Sequence, residues 1–98
     1  MKFEEKIFER KRFDVERLTK YGFRKTEPGF VYETGFMNDE FRAIITVTDK
    51  GTASGKVIDL INDEEYAPLR NENMTGAFVG KVREEYENIL SDICDKCC

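Results

Sequence analysis

The chain has 98 residues, 40% apolar and 37% charged, with a formal net charge of −4 and no histidine. That length holds one α+β domain spanning 1–98 rather than two domains, and the balance suits a compact globule rather than a disordered chain. No run approaches the roughly 18 consecutive apolar residues of a membrane span, and the charged opening Met1-Lys2-Phe3-Glu4-Glu5-Lys6 lacks the apolar core of a signal peptide, so no membrane partner is expected.

In chain order, Phe3, Ile7 and Phe8 stand at helical spacing over residues 3–10. A second helix is predicted from about Phe13 to Tyr21, with Val15, Leu18 and Tyr21 as its apolar face and Gly22 ending it. Pro28-Gly29 signals a turn. Phe30, Tyr32, Thr34 and Phe36 then alternate with Val31, Glu33 and Gly35, the period of a strand, and Asn38-Asp39 breaks the run. A second strand places Phe41, Ala43, Ile45 and Val47 on one face, and Asp49-Lys50-Gly51 turns the chain. A third strand is predicted from about Ser54 to Ile61, after a flexible hairpin tip at Gly51–Gly55. The connections are too short for parallel crossovers, so the sheet is an antiparallel meander of three to four strands. Residues 62–73 are polar, with a short apolar anchor at Tyr66-Ala67-Pro68-Leu69. Thr75 is placed to cap a long C-terminal helix whose stripe is Phe78, Val79, Val82, Tyr86, Ile89, Leu90, Ile93 and Cys97. Gly76 and Gly80 share that face and are expected to let the helix backbone approach the sheet closely.

The absence of histidine removes the commonest general base and the commonest metal ligand. Asp63-Glu64-Glu65 and Glu84-Glu85-Glu87 read as solvated surface rather than a catalytic carboxylate pair. Cys94, Cys97 and Cys98 include a CxxC, but zinc takes four ligands, and a redox CxxC belongs at a helix N-terminus rather than a C-terminus. Three thiols clustered at one end fit a reducing, cytoplasmic setting rather than a secreted disulfide scaffold. Gly76-Ala77-Phe78-Val79-Gly80-Lys81 resembles a phosphate loop but is one residue short, and Val82 replaces its Ser/Thr. The sequence thus implies no cofactor, no metal and no enzyme.

Charge is uneven. Residues 1–25 carry nine basic and five acidic side chains; residues 26–98 carry seven and fifteen. Lys6, Arg10, Lys11, Arg12, Arg17, Lys20, Arg24 and Lys25 are the candidates for nucleic-acid contact. They alternate with Glu4, Glu5, Glu9, Asp14 and Glu16, as on a solvated helix, and a Glu16–Lys20 pair is expected.

Val57-Ile58-Asp59-Leu60 with Glu64-Glu65-Tyr66 form one familiar segment, and Thr75 to Tyr86, continuing to Leu90, Ile93 and Cys97, form another. Together with Phe8-Glu9-Arg10-Lys11-Arg12 and Tyr21-Gly22-Phe23, they resemble the N-terminal domain of two-domain bacterial proteins of the MmcQ/YjbR (YyaQ-like) family. The resemblance covers nearly the whole chain, and the glycine-bearing helix is its most specific part. It implies an accessory domain that a YjbR domain would follow after about Cys97, and that second domain is the one commonly described as DNA-binding-like. The resemblance transfers no catalytic or ligand residue to this segment. Three readings follow: an interaction or accessory domain that takes a protein partner or forms a homodimer; a nucleic-acid-binding or regulatory domain; and, third, a small-molecule pocket between sheet and helix.

Overall fold

A computed structural model describes residues 4, 7–8, 12–27, 29–48, 52–69, 73 and 76–97. The predicted helix at 3–10 lies mostly outside them. Within it Glu4 and Ile7 are helical, and the Phe8 N–H donates to the Glu4 carbonyl at 3.0 Å. Phe8 is buried, as an apolar face requires. Glu4, grouped above with solvated charges, is buried too, at 1% exposure. The Tyr86 hydroxyl donates to its Oε1 deep in the core.

Helix α1 spans Val15–Tyr21. Asp14 caps it: its Oδ1 accepts from the N–H groups of Glu16 and Arg17, which a helix start otherwise leaves without partners. Gly22 ends it at φ 130°, a conformation that costs a residue with a Cβ much more than glycine. Leu18 is the one residue of this helix buried in the core, and Tyr21 is half-buried beside it. Val15 is 57% exposed, against expectation, because so short a helix aims only one position squarely inward.

Five strands follow, all antiparallel, in the order β1-β2-β3-β4-β5. The meander was legible; the strand count is one or two higher than expected, because both edge strands are two residues long. Strand β1 (Arg24–Lys25) folds back on β2 (Gly29–Phe36) through a turn closed by the Thr26 N–H and the Gly29 carbonyl. At the Met37–Glu40 turn, Met37, Asn38 and Asp39 all take positive φ, which Asn and Asp tolerate best among residues with side chains. Strand β3 (Phe41–Thr48) buries Phe41, Ala43, Ile45 and Val47, the predicted face.

Strand β4 (Ala53–Asp59) starts earlier and ends earlier than expected. Ala53, Ser54 and Gly55 are paired strand residues opposite Val47, Thr46 and Ile45, not a flexible tip. Asp49, Lys50 and Gly51, the predicted turn, lie outside the described residues; on either side of them the Thr52 N–H donates to the Thr48 hydroxyl at 3.2 Å and the Thr48 N–H to the Thr52 carbonyl at 2.9 Å. Asp59 stops the strand by accepting from the Ile61 and Asn62 N–H groups, an Asx turn that leaves Ile61 74% exposed. Strand β5 (Glu64–Glu65) and a 3-10 turn at Ala67–Leu69 bring Leu69 into the core.

Helix α2 (Ala77–Cys97) covers one sheet face with Val82, Tyr86, Leu90, Ile93 and Cys97, all buried. Arg83 ties the 3-10 turn to it by donating to the Pro68 and Leu69 carbonyls. Thr75, the predicted cap, is outside the described residues. Gly76 and Gly80 do not mediate a close approach: both are exposed, and a Cβ on either would meet nothing within 4 Å. Gly76 instead takes φ 134° just before the helix. The side chain that α2 does press against a glycine is Tyr86: a Cβ at Gly55 would collide with its hydroxyl.

Candidate functional site

An open hollow of about 550 Å³ lies where α1, α2 and β2 meet, lined by Arg17, Lys20, Tyr21, Tyr32, Asp92 and Lys96. Each element supplies its part through its period. Arg17, Lys20 and Tyr21 stand three and four apart on α1, so they share a face. Asp92 and Lys96 stand four apart on the last turns of α2. Tyr32 comes from the helix-covered face of β2, opposite Ile45.

Local bonding fixes the wall of the hollow. The Tyr21 hydroxyl donates to Asp92 Oδ2 at 2.7 Å. Lys96 Nζ lies 3.2 Å from Asp92 Oδ1 and 5.9 Å from the centroid of the Tyr21 ring. Tyr21 meets Tyr32 edge-on at 4.9 Å, and Phe23 stacks on Tyr32 at 5.2 Å, so packed aromatics back the polar surface. The hydrogen bonds from Tyr21 and then Lys96 hold the Asp92 carboxyl below its ordinary range. Burial, followed by the bond to Asp92 and its charge, pushes the Tyr21 hydroxyl well up. Asp92 therefore stays ionised and Tyr21 stays protonated across the neutral range. This pair keeps its proton in place and is not poised for acid–base exchange.

Among the described residues, the basic side chains picked from sequence are divided between the two faces of the domain. Lys6, Arg10 and Lys11 lie outside the described residues. Arg12 is exposed and does not line the hollow. Arg17 and Lys20 do line it. Arg24 bonds Glu33 at 2.6 Å on the opposite face of the sheet, and Lys25 is exposed on the edge strand. The Glu16–Lys20 pair is not among the ion pairs of the described residues; Arg17 instead lies 4.0 Å from its cap residue Asp14. Tyr32, Asp92 and Lys96 were missed by sequence reasoning. The one available signal was the Asp92–Lys96 spacing on a helix, which gives no hint that α1 packs alongside.

Cys97 is fully buried, and its thiol donates to the Arg17 carbonyl at 3.8 Å. Burial first, and the Asp92 charge next, push that thiol up, away from the reactive thiolate. The Cys94 thiol points to the Ile7 carbonyl, and Cys98 is outside the described residues. Among the described residues no cluster of three or more His, Cys, Asp or Glu is arranged to hold a metal ion. No described helix is long and apolar enough to cross a membrane. The fold and its hollow define a small α+β domain with one helix-covered sheet face. No protein-family model, curated protein or solved structure matches the chain.

Proposed function

We propose that this chain is a non-enzymatic interaction domain of the cytoplasm, an accessory unit of the bacterial MmcQ/YjbR-like kind, that takes a protein partner on its open sheet face. The carrying observation is the asymmetry of the sheet. One face is sealed by α2, while the other presents Val31, Ile44, Thr46 and Ile58, each only partly buried, on adjacent strands. Charged residues are interleaved with them on the same face: Arg24 stands opposite Val31, Glu33 and Lys56 on either side of Ile44, and Arg42 opposite Ile58, with Glu33 within ion-pair distance of both arginines. Aliphatic side chains left partly exposed among charges on an open sheet face support the reading of a surface that a partner covers. The partner tested first is a second copy of the chain. Sedimentation velocity over a wide concentration range is expected to show a monomer–dimer equilibrium. The double variant Ile44→Thr with Ile58→Thr keeps strand propensity but removes the two large aliphatic side chains of this face, and it is expected to shift the equilibrium to monomer. A wild-type chain that sediments as monomer at every concentration removes the homodimer form of the reading.

A second reading, nucleic-acid binding, is supported by Arg17 and Lys20 facing the same hollow as Lys96. It predicts that affinity for an oligonucleotide falls steeply as salt rises, because each phosphate contact releases a counterion. Fluorescence anisotropy with labelled single-stranded DNA at low salt tests it; a flat signal counts against it.

A further inference from the structure

We propose that the end of the domain where the β2–β3 turn, the β4–β5 turn and the start of α2 meet docks another protein, through a segment of it in which lysine and arginine flank apolar side chains. Three of the four large apolar residues that the described part of the chain leaves exposed belong to this end: Leu60, Ile61 and Phe78, at 40%, 74% and 52% exposure. The fourth is Val15, on α1. Register brings the end together, since Phe36, Phe41, Asp59 and Glu64 stand side by side across four strands. Leu60 follows Asp59, and its N–H donates to the Glu40 carbonyl at 3.0 Å. Phe78 comes from the first turn of α2, its ring 5.9 Å from that of Phe41. Phe36 and Tyr66, both half-buried, flank the same Phe41 ring at 5.8 and 4.9 Å. Large apolar side chains scattered singly over a surface need no explanation, whereas several at one end of a small domain, beside half-buried aromatics and rimmed by polar groups, mark an interaction site.

The rim decides the partner. Asp39 and Glu40 sit in the turn before Phe41, and Asp59, Asp63 and Glu64 follow at the end of β4 and the start of β5. Among the described residues none of these carboxylates forms an ion pair with a lysine or arginine. The Asn62 side chain donates to Asp59 Oδ2 at 2.8 Å, and that bond is the first cause holding the Asp59 carboxyl below its ordinary range. Nearby cations point elsewhere: Arg42 lies within ion-pair distance of Glu33, Lys81 of Glu85, and Arg83 donates to the Pro68 and Leu69 carbonyls. A partner with apolar anchors between basic residues complements both features at once, and the charges also speed its approach. The same rim disfavours the other occupants. A nucleic acid or an anionic lipid surface carries the charge of the rim itself. A second copy meeting this end about a twofold axis would set identical carboxylates against each other. The inference does not depend on the sheet-face reading, because the two surfaces are built from different residues.

The test is selection of random peptides displayed on phage against the full chain, with depletion on the Ile61→Ser, Glu64→Lys variant. Enriched peptides are expected to carry net positive charge, with aliphatic or aromatic side chains between their lysines and arginines. One of them, synthesised, should bind the wild-type chain saturably in calorimetry and more weakly as salt rises. Ile61→Ser and Phe78→Ser should each weaken that binding by about tenfold or more, and Glu40→Lys with Glu64→Lys by at least as much. Ile61, Glu40 and Glu64 are exposed, so thermal melts of those variants should stay close to wild type, which separates lost binding from lost folding. The Ile44→Thr, Ile58→Thr variant should bind the peptide as wild type does, whatever its oligomeric state. A selection that enriches nothing overturns the proposal, and so does one that enriches acidic or uncharged peptides. Binding that Ile61→Ser and the charge reversal leave intact overturns it too, as does binding that only the sheet-face variant abolishes. A dimer in sedimentation that Ile61→Ser dissolves overturns it in favour of a second copy.

Discussion

Two tyrosines in this domain donate to a carboxylate far away in sequence, and their surroundings make the two bonds different objects. Tyr86 donates to Glu4, with both side chains essentially removed from solvent and Gly55 beneath them. Tyr21 donates to Asp92 at the mouth of a hollow, where the carboxylate is also bonded by Lys96 and is about half exposed. Hydrogen bonds gain little net free energy when water can replace either partner, and their loss costs much more when it cannot. The buried bond therefore anchors the N-terminal segment to α2. The exposed one shapes the wall of a hollow open to solvent.

The comparison breaks most visibly at Gly55. Alanine there puts a methyl group into the Tyr86 hydroxyl and close to Glu4 and the Ile44 carbonyl, and the Tyr86 and Glu4 side chains are both buried. Overpacking combined with a disturbed buried hydrogen bond should cost about 3 kcal/mol, a fall in melting temperature of more than about 10 °C for a domain of this size. Tyr86→Phe keeps the ring but withdraws the donor from a buried carboxyl, for a loss of about 1–3 kcal/mol in urea denaturation. Because the clash at Gly55 is with that same hydroxyl, the Gly55→Ala, Tyr86→Phe double variant should be more stable than the sum of the single losses implies. Strict additivity would mean that Gly55 and Tyr86 do not share a contact in solution.

The contrast between the two bonds also explains what could be read from sequence. Strand β3 was legible because Phe41, Ala43, Ile45 and Val47 report a period of two that no neighbour disturbs. The inward stripe of α2 was legible from Val82 through Cys97 for the same reason, at a period of 3.6. Gly80 misled because a gap in a hydrophobic stripe looks the same whether it faces the sheet or open space, and Gly76 because it precedes the helix rather than belonging to it. Strands β1 and β5 have two residues each, too few to show any period. Glu4 stood among other charges, and nothing local announces that Tyr86, 82 positions later, meets its carboxyl in the core. The hollow was half legible: Arg17 and Lys20 share a local helix face, whereas Tyr32, Asp92 and Lys96 join them only through tertiary packing. Local patterns announce elements. Sites assembled from three elements carry no local pattern.

The smallest expected effect belongs to the exposed pair and is best read against pH. Asp92 titrates below its ordinary value in the fold, so its contribution is complete above the unfolded carboxylate pKa of about 4 and is lost as pH falls through the lower folded value. Tyr21 titrates above its ordinary value, so its contribution is complete below about pH 10 and is lost as pH rises toward the folded value. One bond is thus undone from both ends of the pH range and is constant between them. Tyr21→Phe should lower stability at neutral pH only by the low end of what a single hydrogen bond contributes, since water can reach Asp92 in its place. It should also flatten both slopes: the Asp92 carboxyl, followed by NMR, moves up toward its ordinary pKa, and the alkaline fall in melting temperature becomes shallower. If the Asp92 titration is unchanged in Tyr21→Phe, Lys96 rather than the Tyr21 hydroxyl holds the carboxylate, and the bond at the mouth of the hollow contributes nothing in solution.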